Sequence, residues 1–151
     1  MSDPFPHVVN LLAAVKAALE TVKKIGGSRV DLVVREPSFS PSPQQADVEA
    51  ELAFERWDLA DDSPHEFSDI DVFFTVRVIV RRQPDAEITM QQFALLAASD
   101  VVKAVQRDRT QNSTARNTES MSADAFDETA DGTYWIGVLF KSRVRYELDN
   151  P

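Results

Sequence analysis

Carboxylates surround one histidine near the middle of the chain, and they are the first candidates for chemistry. Carboxylate oxygens together with an imidazole nitrogen can bind a divalent cation. The spacing lacks the central glycine and the final bidentate glutamate of an EF-hand loop. We therefore expect a solvated acidic turn without metal ligands, and a metal site is the alternative. The residues of this turn are His65, Asp61, Asp62, Glu66, Asp69 and Asp71.

Catalytic machinery of other kinds finds little support in the sequence. The chain contains no P-loop, GxGxxG, GxSxG or HExxH motif, and it has no cysteine. Besides His65, the only histidine is His7, which lies at the start of a predicted helix, where a surface position is more common than a catalytic base. We expect no enzyme and no cofactor; a small enzyme or ligand-binding domain built on the acidic turn is the alternative.

The negative charge of the chain is concentrated in one segment. The formal net charge is −9, and the segment from Asp47 to Asp71 contains ten acids opposed only by Arg56. The rest of the chain carries equal numbers of acids and bases. Such a segment repels phosphates and attracts basic surfaces, and its simplest interpretation is a solubilising face.

Length and composition indicate one globular domain, 1–151. The chain has 151 residues, of which 43% are hydrophobic and 27% charged. Its early apolar stretch, VVNLLAAV, contains Asn10 and is followed by Lys16. That stretch is too short to span a bilayer and lacks the features of a signal peptide. We expect a soluble, intracellular protein with no membrane partner.

Two helices are predicted from apolar residues at helical spacing. The first covers about 6–25, with Pro6 at its start and Gly26 just after its end. The second covers about 90–107, where Thr89 and Gln92 have capping-box spacing. Its expected buried stripe consists of Phe93, Leu96, Ala97, Val101 and Val105.

Alternating patterns predict four strands, at about 28–35, 47–57, 70–82 and 134–147. The alanines and glutamates of 47–57 also suit a helix, but the split between acidic and apolar positions favours a strand. We expect an irregular arm at 36–46, a polar loop at 108–120, and a weak strand in SMSADAF. Consecutive strands without intervening helices predict an α+β fold: an antiparallel or mixed sheet of four or five strands with two main helices packed on one face.

Basic side chains occupy the less apolar faces of the last two predicted strands, with Trp135 beside them. Cations next to an aromatic ring suit single-stranded nucleic acid, but such domains are normally basic overall. The other interpretation is that these bases meet the acids of 47–57, within one sheet or between two copies. The candidate interface residues are Arg77, Arg81, Lys141, Arg143 and Arg145 with Asp47, Glu49, Glu51 and Glu55.

The order and pattern of these elements match a known family. The residues that carry the match are DIDVFFTVRVIVRR, the helix ITMQQFALLAASDVVKAVQRD, and the final YWIGVLFKSRVRYE. From about His7 to Glu147, the chain resembles the tail terminator (tail completion) proteins of long-tailed bacteriophages and the neck proteins related to them.

The resemblance implies a structural protein of the virion, assembled in the cytoplasm of the host bacterium. Family members form a hexameric ring that caps the tail tube, ends its polymerisation, and presents a docking surface to the head connector. DNA passes through the ring without specific binding. The implied partners are other copies of the chain, the tail tube protein, and a connector or stopper protein. Another neck protein, such as a head completion or stopper protein, is the alternative.

Overall fold

Five strands form one mixed sheet in the order β1-β2-β3-β5-β4. This computed structural model describes residues 3–37, 46–60, 67–82, 87–128 and 132–147. The first two strands pair in parallel, and the other neighbours pair antiparallel. The predicted α+β class with a mixed sheet is confirmed. The strands are β1 (Val33–Arg35), β2 (Val48–Leu59), β3 (Phe67–Val80), β4 (Asn117–Glu128) and β5 (Thr133–Glu147); the helices are α1 (Phe5–Glu20) and α2 (Met90–Gln106).

One face of the sheet, here called the covered face, is apolar and packs against α1 and α2. Cross-strand partners on this face are buried together, as in the row Leu52, Val76 and Val138. The rings of Phe74 and Phe140 stack with their centroids 5.3 Å apart. Alternation along β2, β3 and β5 therefore has the period expected for strands with one buried face.

Helix α1 ends five residues before the predicted boundary at residue 25. Its C-cap is Thr21, whose hydroxyl donates to the Ala18 carbonyl. Ile25 is still buried, because a 3₁₀ turn at Ile25–Gly27 carries it into the core. By length and composition, Phe5–Gly27 could cross a membrane. In this fold, the apolar stripe of α1 is buried against the rest of the protein; it consists of Val8, Leu11, Val15 and Leu19.

The 3₁₀ turn also joins the two helices. Gly26 has φ +63°, and its N–H donates to the Asp100 carboxylate at 2.7 Å. A Cβ at Gly26 would lie 2.8 Å from the Phe93 ring, so the position requires glycine for both conformation and space.

Helix α2 has the predicted start and, except at one position, the predicted buried stripe. Thr89 and Gln92 form both hydrogen bonds of the capping box. Leu96, predicted to be buried, is 50% exposed. Small residues replace it on the buried side, where Ala94 and Ala98 join Ala97. Their size lets the helix backbone lie close to the sheet.

Strand β1 is shorter than the predicted 28–35. The backbone before Val33 bonds elsewhere: Leu32 N–H donates to the Val22 carbonyl, and Val30 carbonyl accepts from Ile25 N–H. These bonds tie the segment to the end of α1, so only three residues pair with β2.

The predicted polar loop at 108–120 is too long, because strand β4 begins within it. The loop ends at residue 116, and the strand runs from Asn117 to Glu128, which includes the weak strand expected in SMSADAF. The turn before it is held by Asp108 and by the buried Gln111, whose amide donates to the Val105 carbonyl at 2.6 Å. The polar residues of β4 made its pattern weak, because an exposed edge strand needs no apolar alternation.

The ambiguous segment at 47–57 is a strand, as preferred. The structure describes only the two ends of the predicted arm at 36–46. Most of the acidic turn around His65, from Asp61 to Glu66, also lies outside the described residues.

Candidate interaction surface on the open face of the sheet

The opposite face of the sheet is here called the open face, because none of the described helices packs on it. It carries charged side chains from all five strands. Register sets which of them are neighbours: Glu51 of β2 lies opposite Arg77 of β3, and Asp71 of β3 lies opposite Arg143 of β5. The candidate interface residues that the register places on the open face are Glu49, Glu51, Arg77, Lys141, Arg143 and Arg145. Arg81, just after β3, joins them through its contact with Glu49. The sheet therefore brings acids and bases of distant sequence segments into one surface.

Glu49 is the most enclosed acid of this surface. Its carboxylate is 2% exposed and lies between two guanidinium groups, those of Arg35 on β1 and Arg81 just after β3. Arg35 reaches both carboxylate oxygens at 3.1 Å. A buried carboxylate needs such partners, because removing it from water without them is costly. Glu49 therefore joins three separate chain segments at one side of the sheet.

Asp69 forms a second enclosed cluster at the other end of β3. Arg145 donates to it through Nε at 2.8 Å, and Arg116 lies 3.5 Å away. The hydrogen bond from Arg145 is the main cause that holds the pKa of Asp69 below its ordinary value, against the opposing effect of burial. The same bond raises the pKa of Arg145. Both groups therefore remain charged at neutral pH.

The remaining bases of β5 also meet acids of their own chain. Arg143 binds Asp71 of β3 through Nε at 3.1 Å, and Lys141 lies 3.3 Å from Glu119 of β4. The basic row of β5 therefore meets carboxylates, but those of β3 and β4. The acids of β2 lie too far across the sheet to contact this row, because β3 separates the two strands.

An aromatic pair lies on the open face at the side of the sheet formed by β5 and β4. Trp135 of β5 stacks on Phe126 of β4 with centroids 3.8 Å apart, and Arg77 lies over the Trp135 ring at 4.9 Å. Arg77 also lies 3.7 Å from Glu51. The expected combination of cations and an aromatic ring is present, but each cation faces an acid as well. Stacking by Trp135 on a nucleic acid base would compete with Phe126.

The nine candidate interface residues therefore separate into groups. Arg81 and Glu49 meet, as do Arg77 and Glu51, whereas the three bases of β5 pair with acids that were not among the candidates. Glu55 accepts a hydrogen bond from Thr75 at 2.8 Å, and Asp47 is exposed. Sequence reasoning missed the partners Arg35, Arg116 and Glu119. Alternation along 28–35 puts Arg35 on the charged side of that strand, whereas Arg116 and Glu119 lie within 108–120, which was expected to be a loop.

The surface has two open grooves among the described residues. One has a volume of about 500 Å³ and is lined by Arg116, Asn117, Glu119, Lys141 and Arg143. Another, of about 310 Å³, lies over Gly137 beside Trp135 and Phe126. Within the described ranges, no group of three or more histidine or acidic side chains is arranged to hold a metal ion. The two described acids of the predicted turn, Asp69 and Asp71, bind arginines instead.

The fold of this chain is shared with components of phage-like particles. A chain of the virion of a native gene transfer agent (GTA) particle matches with a TM-score of 0.62 and 18% identity, over 90% of this chain and 95% of that one. No family model matches, and a search of curated proteins found no match.

A second similar structure is that of one particular component of such an assembly. It is the sheath/tube terminator of an extracellular contractile injection system, PVC, in its extended state. It matches with a TM-score of 0.57 and 10% identity over 95% of this chain, which spans 57% of the length of that terminator chain. Both neighbours agree with the tail terminator resemblance of the sequence, and at these identities they show a common fold.

Proposed function

We propose that this chain is a structural tail terminator that caps the end of a tail tube. The observation that carries the proposal is the likeness to a sheath/tube terminator over 95% of the chain. In this function, copies of the chain form a ring, the ring stops polymerisation of the tube, and its other side binds the head connector. The ring is a hexamer with a central channel through which DNA passes, and it resides in the virion at the neck.

The open face supports a role in assembly more than one in catalysis. Its charges are arranged as ion pairs along the strands, and its grooves are open. A surface of paired charges is well suited to specific protein contacts, since complementary partners are favoured and like charges are rejected. We propose a non-enzymatic protein that acts through such contacts.

We keep the nine candidate interface residues as proposed contact residues of the assembly. The ion pairs of the structure affect how that role can be tested. Reversing Arg143 and Arg145 would break ion pairs with Asp71 and Asp69 of the same chain. Such a variant therefore tests folding as well as assembly. Exposed charges at the edges of the sheet are better probes of assembly.

Tube growth in vitro tests the proposed function. The tail tube protein encoded with this chain is allowed to polymerise with and without the purified protein, and tube lengths are measured by electron microscopy. We expect shorter tubes that carry a ring of six-fold symmetry at one end. Tubes of unchanged length with bare ends would overturn the proposal.

Another neck protein is the second candidate, because one of the two similar structures is a chain of a whole virion, that of the gene transfer agent. A head completion or stopper protein would bind the head connector and leave tube growth unchanged. Labelling the protein in purified particles distinguishes the two: label at the tube end supports the terminator, and label confined to the connector supports the alternative.

A further inference from the structure

The two edges of the sheet carry opposite charges. Strand β4, at one edge, contains acids and no base: Glu119, Asp124, Asp127 and Glu128. At the other edge lie β1 and the segment that leads into it, 21–35, where four bases face one acid: Lys23, Lys24, Arg29 and Arg35 with Asp31. We call these the acidic edge and the basic edge.

The acidic edge is accessible. Within the described part of the chain, β4 pairs only with β5, so the backbone on its outer side has no strand partner. Its side chains from Ser120 to Phe126 are exposed, and they include two large apolar ones, Met121 at 49% and Phe126 at 44%. A long exposed edge with apolar side chains readily binds another chain. This edge is therefore available for a protein partner.

The basic edge is accessible as well. Lys23, Lys24 and Arg29 are exposed, and Lys23 lies 3.7 Å from the Asp31 carboxylate. Among the described residues, the side chains of Lys24 and Arg29 form no salt bridge, although the Lys24 backbone N–H donates to Asp31. Arg35, in contrast, is engaged by Glu49. Within 21–35, the two charged side chains without a salt bridge, Lys24 and Arg29, are both positive.

The strand directions allow the two edges to meet. β1 is parallel to β2, and three antiparallel pairings lead from β2 to β4, so β1 and β4 run in opposite directions. If two copies lie side by side with their sheets continuing into each other, β4 of one copy is antiparallel to β1 of the next. A contact between two acidic edges would instead place like charges together, which is unfavourable.

We propose that the acidic edge of one copy binds the basic edge of the next copy, in a heterologous contact that repeats around a closed assembly. The inference rests on the proposed ring and names the surfaces that join its subunits. Because both surfaces are used once per copy, the contact propagates in one direction and closes when the rotation permits. The open faces of neighbouring sheets then continue from one subunit to the next.

A charge exchange between two variants tests this contact. The acid variant carries Asp124→Lys and Asp127→Lys, and the base variant carries Lys24→Glu and Arg29→Glu. In an assembly of one variant alone, the substituted side chains meet like charges at every contact, so we expect self-association at least about 100-fold weaker than that of the wild type. An equimolar mixture restores opposite charges at every contact and should assemble with the two variants alternating. Native mass spectrometry measures the composition.

A control matched to the base variant makes the same change of net charge at another place in the protein. Lys103→Glu with Arg107→Glu alters exposed residues near the end of α2 and should assemble like the wild type, with folding checked by circular dichroism. Rising salt should weaken wild-type assembly, since these charges are exposed. Two outcomes would overturn the proposed contact. In the first, each variant by itself assembles as well as the wild type. In the second, the acid variant assembles with the wild type and the base variant assembles normally.

The outcomes separate this contact from the proposed function. If the charge exchange behaves as expected but tubes grow unchecked, the contact stands and the terminator function fails. If the wild type stops tube growth as a ring and both variants do so equally well, the function stands and the contact is wrong. A wild type that remains a monomer both in solution and at the tube end overturns the contact and the ring.

Discussion

The two faces of the same sheet are stabilised by different physics. On the covered face, neighbouring strands bury rings and branched side chains, such as Phe74 against Phe140. On the open face, the adjacent residue Phe73 is partly exposed and lies under the Arg56 guanidinium at 4.1 Å. Apolar burial is strong and non-directional, whereas ion pairs near solvent are weak unless their geometry encloses them. We expect the covered face to provide most of the stability and the open face to provide specificity.

The largest expected effect is the loss of a ring from the covered face. Phe74→Ala should reduce the free energy of unfolding by about 4 kcal/mol, because it leaves a cavity in the core. Phe73→Ala, one residue away on the open face, should cost about 1 kcal/mol, mainly through the lost contact with Arg56. Urea denaturation measures both. Equal losses would show that the two faces do not differ as described.

The second expected effect concerns the enclosed acid of the open face. Glu49→Gln should cost about 3 kcal/mol, because it leaves the guanidinium groups of Arg35 and Arg81 together without a balancing charge. Glu51→Gln is the matched control, since its pair with Arg77 is more exposed; it should cost less than about 0.5 kcal/mol. Similar denaturation midpoints for the two variants would contradict this ranking.

The third expected effect depends on pH and involves Asp69. Its pKa in the folded protein lies below the ordinary value of 3.8, chiefly because of the hydrogen bond from Arg145. The carboxylate therefore stabilises the fold above that pH, and the stabilisation is lost as the pH falls through the lowered pKa. Asp69→Asn should cost about 2 kcal/mol at pH 7.

The difference between wild type and Asp69→Asn should shrink as the pH falls below 3.8, since the Asp69 carboxyl is then protonated first in the unfolded chain and, at its lowered pKa, in the folded protein. Thermal unfolding at a series of pH values measures this difference. Asp58→Asn, at an exposed acid paired with Arg56, serves as the comparison and should show little change. A difference that stays constant down to the most acidic samples would contradict the assignment.

The smallest expected effect tests a polar exception on the covered face. Thr118 and Ser142 are fully buried there, and their hydroxyl oxygens are 2.6 Å apart. Ser142→Ala should cost about 1 kcal/mol, because it leaves the Thr118 hydroxyl without this partner. The double variant with Thr118→Val should cost less than the sum of the single variants, as a double-mutant cycle can show. Additive losses would mean that the two hydroxyl groups are not coupled.

Pattern analysis predicted most of the sheet but not its edge. In β3 and β5 the alternation is set by burial on one face, so the strands could be read directly from residues such as Val76 and Val138. Strand β4 has neither face fully buried, so only a weak strand was expected in SMSADAF and the start of β4 was assigned to the polar loop. The same limit affected Leu96: its spacing fits the stripe of α2, but the packing of alanines against the sheet rotates the helix away from it.

The candidate surface was predicted in its residue types but not in its pairings. The sequence showed that charged residues lie on one side of the strands, and that side is the open face. Which acid meets which base depends on strand order and register, and these place Arg143 beside Asp71 and Glu49 beside Arg35. Shifting the pairing register of one strand by one residue would change every cross-strand partner.

The sequence by itself determined the two faces of the sheet, the start of α2, and the overall class of fold, because each follows from the periodicity of neighbouring residues. The tertiary structure alone decided the order of the strands, the extent of β4, and the opposite charges of the two sheet edges. Those properties depend on contacts between residues far apart in the chain, and local patterns carry no information about them. The proposed assembly follows from that second set.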